Sequence, residues 1–85
     1  MSYFVYILQS ETDYTYYVGF TSNLEERVNE HNFGSTRYTS KKRPWKLVYQ
    51  ERFSTEREAR KRELAIKRKK SRKYIDWLIA DQRSG

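Results

Sequence analysis

The sequence predicts an α/β (α+β) fold in which a small three-stranded antiparallel sheet is flanked by helices, in the order β-β-α-β-α-α. Two early segments rich in aromatic and β-branched residues are separated by four polar residues, which is typical of a β-hairpin. Later segments carry helical start signals and apolar residues at helical spacing. Because the chain has 85 residues, we expect one domain over residues 1–85 with a small core.

The hairpin and the first helix come from the start of the chain. Strands are predicted over residues 3–9 and 14–20, with the polar turn Ser-Glu-Thr-Asp between them. Ser22 begins a capping-box pattern with a glutamate three residues later, and Gly34 is a natural helix stop. Between these signals, three side chains recur at helical intervals: Leu24, Val28 and His31. The pattern predicts a helix over roughly residues 22–32.

A loop and the third strand follow. Residues 35–45 mix Ser, Thr, Lys and Arg and contain the single proline, which predicts a loop with room for one helical turn. Residues 46–53 return to the strand pattern. We expect this strand to join the hairpin, because three strands are needed for a sheet that is stable on its own.

The last two helices carry most of the charge. Thr55 and Glu58 repeat the capping-box spacing at the start of a helix that runs to about Lys70. Ser71 is a candidate cap for a final helix. The apolar stripe of that helix comprises Tyr74, Ile75, Leu78 and Ile79.

The charge pattern favours a polyanionic partner. The chain has 18 Lys+Arg and 11 Asp+Glu, a formal net charge of +7. Residues 1–40 have two basic and five acidic residues, a net charge of −3, whereas residues 41–85 have sixteen and six, a net charge of +10. Nucleic acid is the favoured partner of such a segment, and on charge alone an anionic membrane surface or an acidic protein is an alternative.

Candidate phosphate contacts lie in two basic segments, the loop after the first helix and the dense Lys/Arg run of residues 60–73. A solvated face is the usual interpretation of such a run, and a non-specific backbone-binding stripe is the functional one. Neither segment carries a base-reading pattern. The candidates are Arg37, Lys41, Lys42, Arg43, Lys67 and Lys70.

Composition excludes several classes of site. Without cysteine the chain forms no disulfide and no thiolate zinc site, and a single histidine excludes a multi-histidine metal site. The longest apolar run, residues 3–8, is far shorter than the roughly 20 residues of a membrane-spanning helix, and no leader precedes it. We therefore expect a soluble, cytoplasmic protein that does not bind a membrane.

Two hairpin segments, Phe4-Val5-Tyr6 and Tyr17-Val18-Gly19, resemble the paired motifs of the GIY-YIG nuclease superfamily. The chain is similar to the small stand-alone single-domain branch of that superfamily, and to the catalytic domain of the excision-repair nuclease subunit. Further positions that agree are Thr21, Leu24, Arg27, His31, Gly34, Pro44, Leu47 to Tyr49, Glu58, Ala59, Glu63 and Lys67. The chain departs from the family pattern at Phe4 and Val5, and at Phe20, where some family nucleases have lysine.

The resemblance implies a divalent-metal-dependent endonuclease that hydrolyses DNA phosphodiester bonds. Structure-specific cutting in DNA repair is compatible with this expectation, and RNA is a second candidate substrate. A non-cutting nucleic-acid-binding module of the same fold is the alternative. The family's catalytic positions fall on Tyr6, Tyr17, Arg27 and Glu63, with Glu63 as the ligand of Mg²⁺ or Mn²⁺ and His31 in support. Either tyrosine can be the general base, and Tyr17 is slightly preferred.

Plainer roles for the same residues are open. Arg27 can extend over the sheet edge, and His31 can be a satisfied half-buried residue. Glu63 lies on the apolar stripe of its helix, where an ion pair with Lys67 or a neighbouring arginine would satisfy it as well as a hydrated magnesium ion. A tyrosine base needs a pKa well below its usual value near 10, which we expect from Arg27 and the cation. Gly19 is expected to leave room for backbone or substrate beside Tyr17.

Overall fold

Three antiparallel strands form one sheet in the order β2-β1-β3, and helices cover it. The computed structural model describes residues 1–34 and 37–84, without the side chains of residues 37, 38, 83 and 84. The elements are β1 (Tyr3–Ser10), β2 (Tyr16–Thr21), α1 (Leu24–Phe33), α2 (Arg37–Ser40), β3 (Trp45–Phe53), α3 (Glu56–Lys69) and α4 (Arg72–Ser84). The predicted fold class and element order are confirmed, and the four-residue α2 is the helical turn of the predicted loop.

The central strand β1 is buried on both faces of the sheet, and its side chains alternate between them. One face packs against α3 and α4 through a cluster of Val5, Ile7, Val18, Ala59, Ile66 and Leu78. The other face packs against α1 through Tyr6, Leu8, Trp45, Leu24 and Val28. Because the two motif tyrosines lie on the α1 face, the first helix decides what surrounds them.

The start of α1 differs by one residue from the prediction. Asn23, not Ser22, caps the helix: its side-chain oxygen accepts from the backbone N–H of Glu26 at 3.1 Å, and its amide donates to the Glu26 carboxylate at 3.1 Å. Asparagine and serine are both good caps, and the extended backbone at Asn23 (φ −138°, ψ 94°) places the helix start after it. Gly34 ends α1 as predicted, in the left-handed conformation with φ 81°.

The starts of α3 and α4 agree with the sequence prediction. Thr55 accepts a hydrogen bond from the backbone N–H of Glu58 at 3.2 Å, and Ser71 accepts one from that of Tyr74 at 3.1 Å. Each cap satisfies a backbone donor that the first turn of a helix leaves unpaired. Within residues 1–34 and 37–84, no helix is long and apolar enough to cross a membrane.

The hairpin turn is longer than predicted because Tyr14 belongs to it. Its backbone adopts φ 63°, a left-handed conformation that interrupts the strand. The side chain of Ser10 accepts hydrogen bonds from the backbone N–H groups of Thr12 and Asp13, at 3.1 and 3.2 Å. Strand β2 therefore starts at Tyr16 rather than at residue 14.

Candidate active site

The Tyr6 hydroxyl lies at the centre of a buried network of four side chains. It is 3.2 Å from Nε2 of His31, and Nε of Arg27 donates a hydrogen bond to it at 3.4 Å. Nδ1 of His31 is 3.0 Å from Oγ1 of Thr39. Tyr6, His31 and Thr39 are at most 1% exposed. Arg27 and His31 reach the same tyrosine because they are one helical turn apart on α1.

Gly19 provides the space that the Tyr6 ring occupies. The two residues are paired across β1 and β2 and therefore lie on the same face of the sheet. A Cβ atom on Gly19 would be 2.5 Å from the Tyr6 hydroxyl oxygen and 2.6 Å from Cζ. The expectation that Gly19 leaves room beside Tyr17 is therefore wrong, since the neighbouring strand's phenol fills that room.

Tyr17 is the more accessible of the two motif tyrosines. It is half-buried, and its ring centroid is 4.7 Å from that of His31 and 6.4 Å from that of Tyr6. Its edge also meets Trp45, with the ring centroids 6.2 Å apart. Tyr17 thus covers the buried histidine and presents the outer surface of the site.

Arg27 connects the buried network with an open cleft. Its guanidinium forms an ion pair with Glu30 at 2.9 Å, and both side chains are more than a third exposed. The cleft has a volume of about 310 Å³ and is lined by Phe20, Thr21, Ser22, Asn23, Glu26, Arg27 and Glu30. The hydrogen bond to Tyr6 and the pairing with Glu30 hold the pKa of Arg27 above its ordinary value, so the guanidinium stays charged.

Burial sets the protonation states inside the network. It raises the pKa of Tyr6 above the ordinary value of 10.0, and the opposing hydrogen bond from Arg27 is too weak to reverse this. It also lowers the pKa of His31 from 6.5, and the positive charge of Arg27 acts in the same direction. Tyr6 is therefore a neutral phenol and His31 a neutral imidazole near pH 7. Arg27 does act to lower the pKa of Tyr6, as expected, but burial outweighs it, so Tyr6 lacks the lowered pKa that a tyrosine base needs.

Glu63 points inward from α3, as its helical position predicted. Its side chain is 12% exposed and forms an ion pair with Lys67 at 3.4 Å, the plainer role left open above. Its negative charge also contributes, as the smallest of several causes, to the raised pKa of Tyr6. In the described part of the chain, no three His, Cys, Asp or Glu side chains cluster as a metal site. A single carboxylate suits Mg²⁺ or Mn²⁺ that keeps most of its water ligands.

Some of the candidate phosphate contacts already bind other groups of the protein, and others are exposed. Lys42 pairs with Asp13 at 2.9 Å. Arg43 donates to the Ser40 carbonyl at 2.8 Å. Lys67 is half-exposed beside Glu63, and two others, Lys41 and Lys70, are exposed. The side chain of Arg37 lies outside the described residues.

Thr39 and Asn32 belong to the site and were not predicted. The backbone carbonyl of Thr39 accepts from the indole N–H of Trp45 at 2.8 Å, and Asn32 accepts from the Trp45 backbone N–H at 2.6 Å. One signal was available, because a buried histidine on an apolar helix face needs a second hydrogen-bond partner. The irregular segment after Gly34 gave no pattern from which to choose that partner.

Comparison with known proteins identifies the family of this chain. A family model described as the GIY-YIG catalytic domain matches residues 2–75. The chain belongs to this family. The GIY-YIG domain described above is 46% identical over 66 residues to a UPF0213 protein of Staphylococcus haemolyticus, covering 76% of this chain and 79% of that one.

A second relative and a solved structure support the assignment. The UPF0213 protein YazA of Bacillus subtilis is 39% identical over 79 residues, covering 88% of this chain and 79% of the relative. The solution NMR structure of a UPF0213 protein from Bacillus halodurans superimposes with a TM-score of 0.60 at 31% identity, covering 94% of this chain and 84% of that chain. These names state no activity, so they establish the GIY-YIG family and the fold but not a reaction.

Proposed function

We propose that this chain is a divalent-metal-dependent endonuclease that hydrolyses DNA phosphodiester bonds, with branched and flapped repair intermediates as the first substrates to test. The observation that carries the proposal is the contact of Tyr6 with both His31 and Arg27 in a GIY-YIG domain. Glu63 adds a largely buried carboxylate on α3. A charged guanidinium, a neutral histidine, two phenols and one inward carboxylate are suited to phosphodiester hydrolysis.

Each of these side chains has a distinct proposed task. Arg27 binds a non-bridging phosphate oxygen through its planar guanidinium, in exchange for its ion pair with Glu30. Tyr17, the more accessible phenol, is the candidate general base for the attacking water. Tyr6 and His31 form the buried support beneath it, since both are almost fully buried.

Glu63 is the proposed ligand of Mg²⁺ or Mn²⁺. When bound, such an ion polarises the phosphate and stabilises the departing oxygen. The carboxylate must exchange its ion pair with Lys67 for the cation, which leaves the Lys67 ammonium free to contact a neighbouring phosphate.

A second candidate function is a nucleic-acid-binding module that does not cut. The same ion pair favours it, because the Lys67 ammonium already neutralises the one carboxylate that would bind the metal. The two functions differ in a simple respect. Both predict salt-dependent binding of nucleic acid, but only the nuclease produces shorter strands when Mg²⁺ or Mn²⁺ is added.

The deciding experiment incubates the protein with labelled branched, flapped, single-stranded and duplex DNA, and with matching RNA, with and without Mg²⁺ or Mn²⁺. We expect metal-dependent cutting that Glu63→Gln abolishes, because the amide keeps the size of the side chain and removes its charge. Glu56→Gln is the matched control, since Glu56 is an exposed glutamate on the same helix. If no substrate is cut with either ion, the non-cutting module is the better description.

A further inference from the structure

Thr39 is a fully buried threonine that faces the only histidine of the chain. Its hydroxyl oxygen is 3.0 Å from Nδ1 of His31. The residue is fixed independently of that contact, because its backbone carbonyl accepts hydrogen bonds from the Trp45 indole at 2.8 Å and from the backbone N–H of Lys42 at 3.1 Å. The hydroxyl therefore reaches His31 from a backbone held in place by β3 and its preceding loop.

The direction of each hydrogen bond follows from the chemistry of the groups. Arginine has no acceptor, so Nε of Arg27 donates and the Tyr6 oxygen accepts. The buried Tyr6 hydroxyl then needs an acceptor for its own proton, and Nε2 of His31 lies 3.2 Å away. A neutral imidazole has one donor and one acceptor nitrogen. If Nε2 accepts, Nδ1 carries the proton and donates it to Thr39.

We propose that Thr39 is a positioning residue: its hydroxyl accepts a hydrogen bond from Nδ1 of His31 and holds the imidazole in the tautomer whose Nε2 accepts the Tyr6 hydroxyl proton. In the opposite tautomer, Nε2–H would compete with Arg27 for the phenol oxygen and leave the Tyr6 proton without its acceptor. As a statement about catalysis this rests on the proposed nuclease function. As a statement about the protonation of His31 it does not.

The test uses the fact that His31 is the single histidine, so one imidazole gives all the ring signals. In protein labelled with ¹⁵N-histidine, long-range ¹H–¹⁵N spectra near neutral pH distinguish a protonated Nδ1 from a protonated Nε2. We expect the wild type and Thr39→Ser to have Nδ1–H, because serine retains the hydroxyl. We expect Thr39→Val, which keeps the shape and removes the hydroxyl, to show a mixture of tautomers or a change to Nε2–H.

Two results would overturn the proposal: a wild-type spectrum with Nε2–H, or a folded Thr39→Val protein with the wild-type tautomer. The wild-type spectrum decides even if Thr39→Val does not fold. Cleavage assays add a second readout, in which Thr39→Val lowers kcat at least tenfold with KM nearly unchanged and Thr39→Ser restores it. If the wild type cuts no DNA, the proposed function fails while the spectra still test the tautomer.

Discussion

At the scale of single residues, the site depends on polar groups that have been removed from water together. Tyr6, His31 and Thr39 are buried, and each hydrogen-bonds to the next. When one partner of a buried hydrogen bond is removed, the loss of folding stability exceeds the net contribution of the bond, because the remaining group cannot recover its hydration. Substitutions within the network should therefore alter stability as well as chemistry, whereas substitutions at its exposed edge should alter chemistry alone.

Phenylalanine substitutions at the two motif tyrosines separate these effects. Tyr6→Phe leaves Nε2 of His31 without its partner, so we expect a loss of about 1–3 kcal/mol in the free energy of unfolding, together with reduced cutting. Tyr17→Phe keeps the ring that covers His31, so we expect a folding stability near that of the wild type and a cutting rate at least tenfold lower. Urea denaturation and single-turnover cleavage measure the two quantities. Equal losses of stability in both variants would contradict this division of roles.

Gly19→Ala tests the close packing between the strands. Its new methyl group would lie 2.5 Å from the Tyr6 oxygen, and the ring cannot swing away without breaking its bonds to His31 and Arg27. We expect a destabilisation of about 1–3 kcal/mol, the usual cost of overpacking. Denaturant midpoints measure it, and Gly34→Ala at a left-handed helix end is a comparison in which the strain is in the backbone. An unchanged midpoint for Gly19→Ala would contradict the close packing of the Tyr6 ring against Gly19.

The sequence could predict part of this site and not the rest. Arg27, His31 and Glu63 were placed correctly relative to their helices, because helical periodicity is visible in the sequence. The role of Gly19 was assigned wrongly, since it depends on which residue lies opposite it in the sheet register. Thr39 was missed because its neighbours show no periodicity, and its partner is identified only by tertiary structure.

At the scale of elements, the hairpin turn and the loop before β3 hold each other in place. Ser10 donates to the Lys42 carbonyl at 2.6 Å, and Thr12 donates to the Arg43 carbonyl at 2.7 Å. Lys42 adds an ion pair with Asp13 at 2.9 Å. The basic side chains of Lys42 and Arg43 predicted phosphate contacts. Their partners are about 30 residues away in sequence, so no local pattern could show that they also hold the loop.

Acid should weaken this connection. The Lys42 ammonium beside Asp13 holds the pKa of that carboxyl below its ordinary value of 3.8, so the pair stabilises the fold above that pH and its contribution is lost as the pH falls further. We expect urea midpoints of the wild type and Asp13→Asn to differ near pH 6, and the difference to shrink steadily as the pH falls below 3.8. Glu11→Gln is the control, because it removes one charge from the same turn and Glu11 has no ion pair within the described ranges 1–34 and 37–84. A difference between wild type and Asp13→Asn that does not shrink as the pH falls below 3.8 would contradict the linkage.

At the scale of the whole molecule, much of the positive charge lies on α3, which packs against the sheet face opposite α1. Helix α3 carries many of the cations, but they do not share one direction. Lys67 lies one turn beyond Glu63 and pairs with it. Arg57 lies about two and a half turns before the buried Ile66 and so faces away from the sheet. A nucleic-acid strand that reaches the candidate active site should therefore meet some of these cations and not others.

Salt dependence of binding can distinguish these two sets of cations. Measured in chelator so that nothing is cut, log K for duplex DNA should fall linearly with log salt, by about 0.9 for each phosphate neutralised. Lys67→Gln/Lys70→Gln removes the ion-pair partner of Glu63 and an exposed lysine that lines the same cleft as Lys67, and we expect it to reduce the slope by about 1–2 units. Arg57→Gln/Lys61→Gln removes the same charge from the outward side of the helix and should change the slope less, because these two exposed side chains are one helical turn apart on the side that faces away from the sheet. Equal changes in both double variants would mean that net charge alone governs binding, and a slope near zero in the wild type would contradict a phosphate-bound nucleic acid altogether.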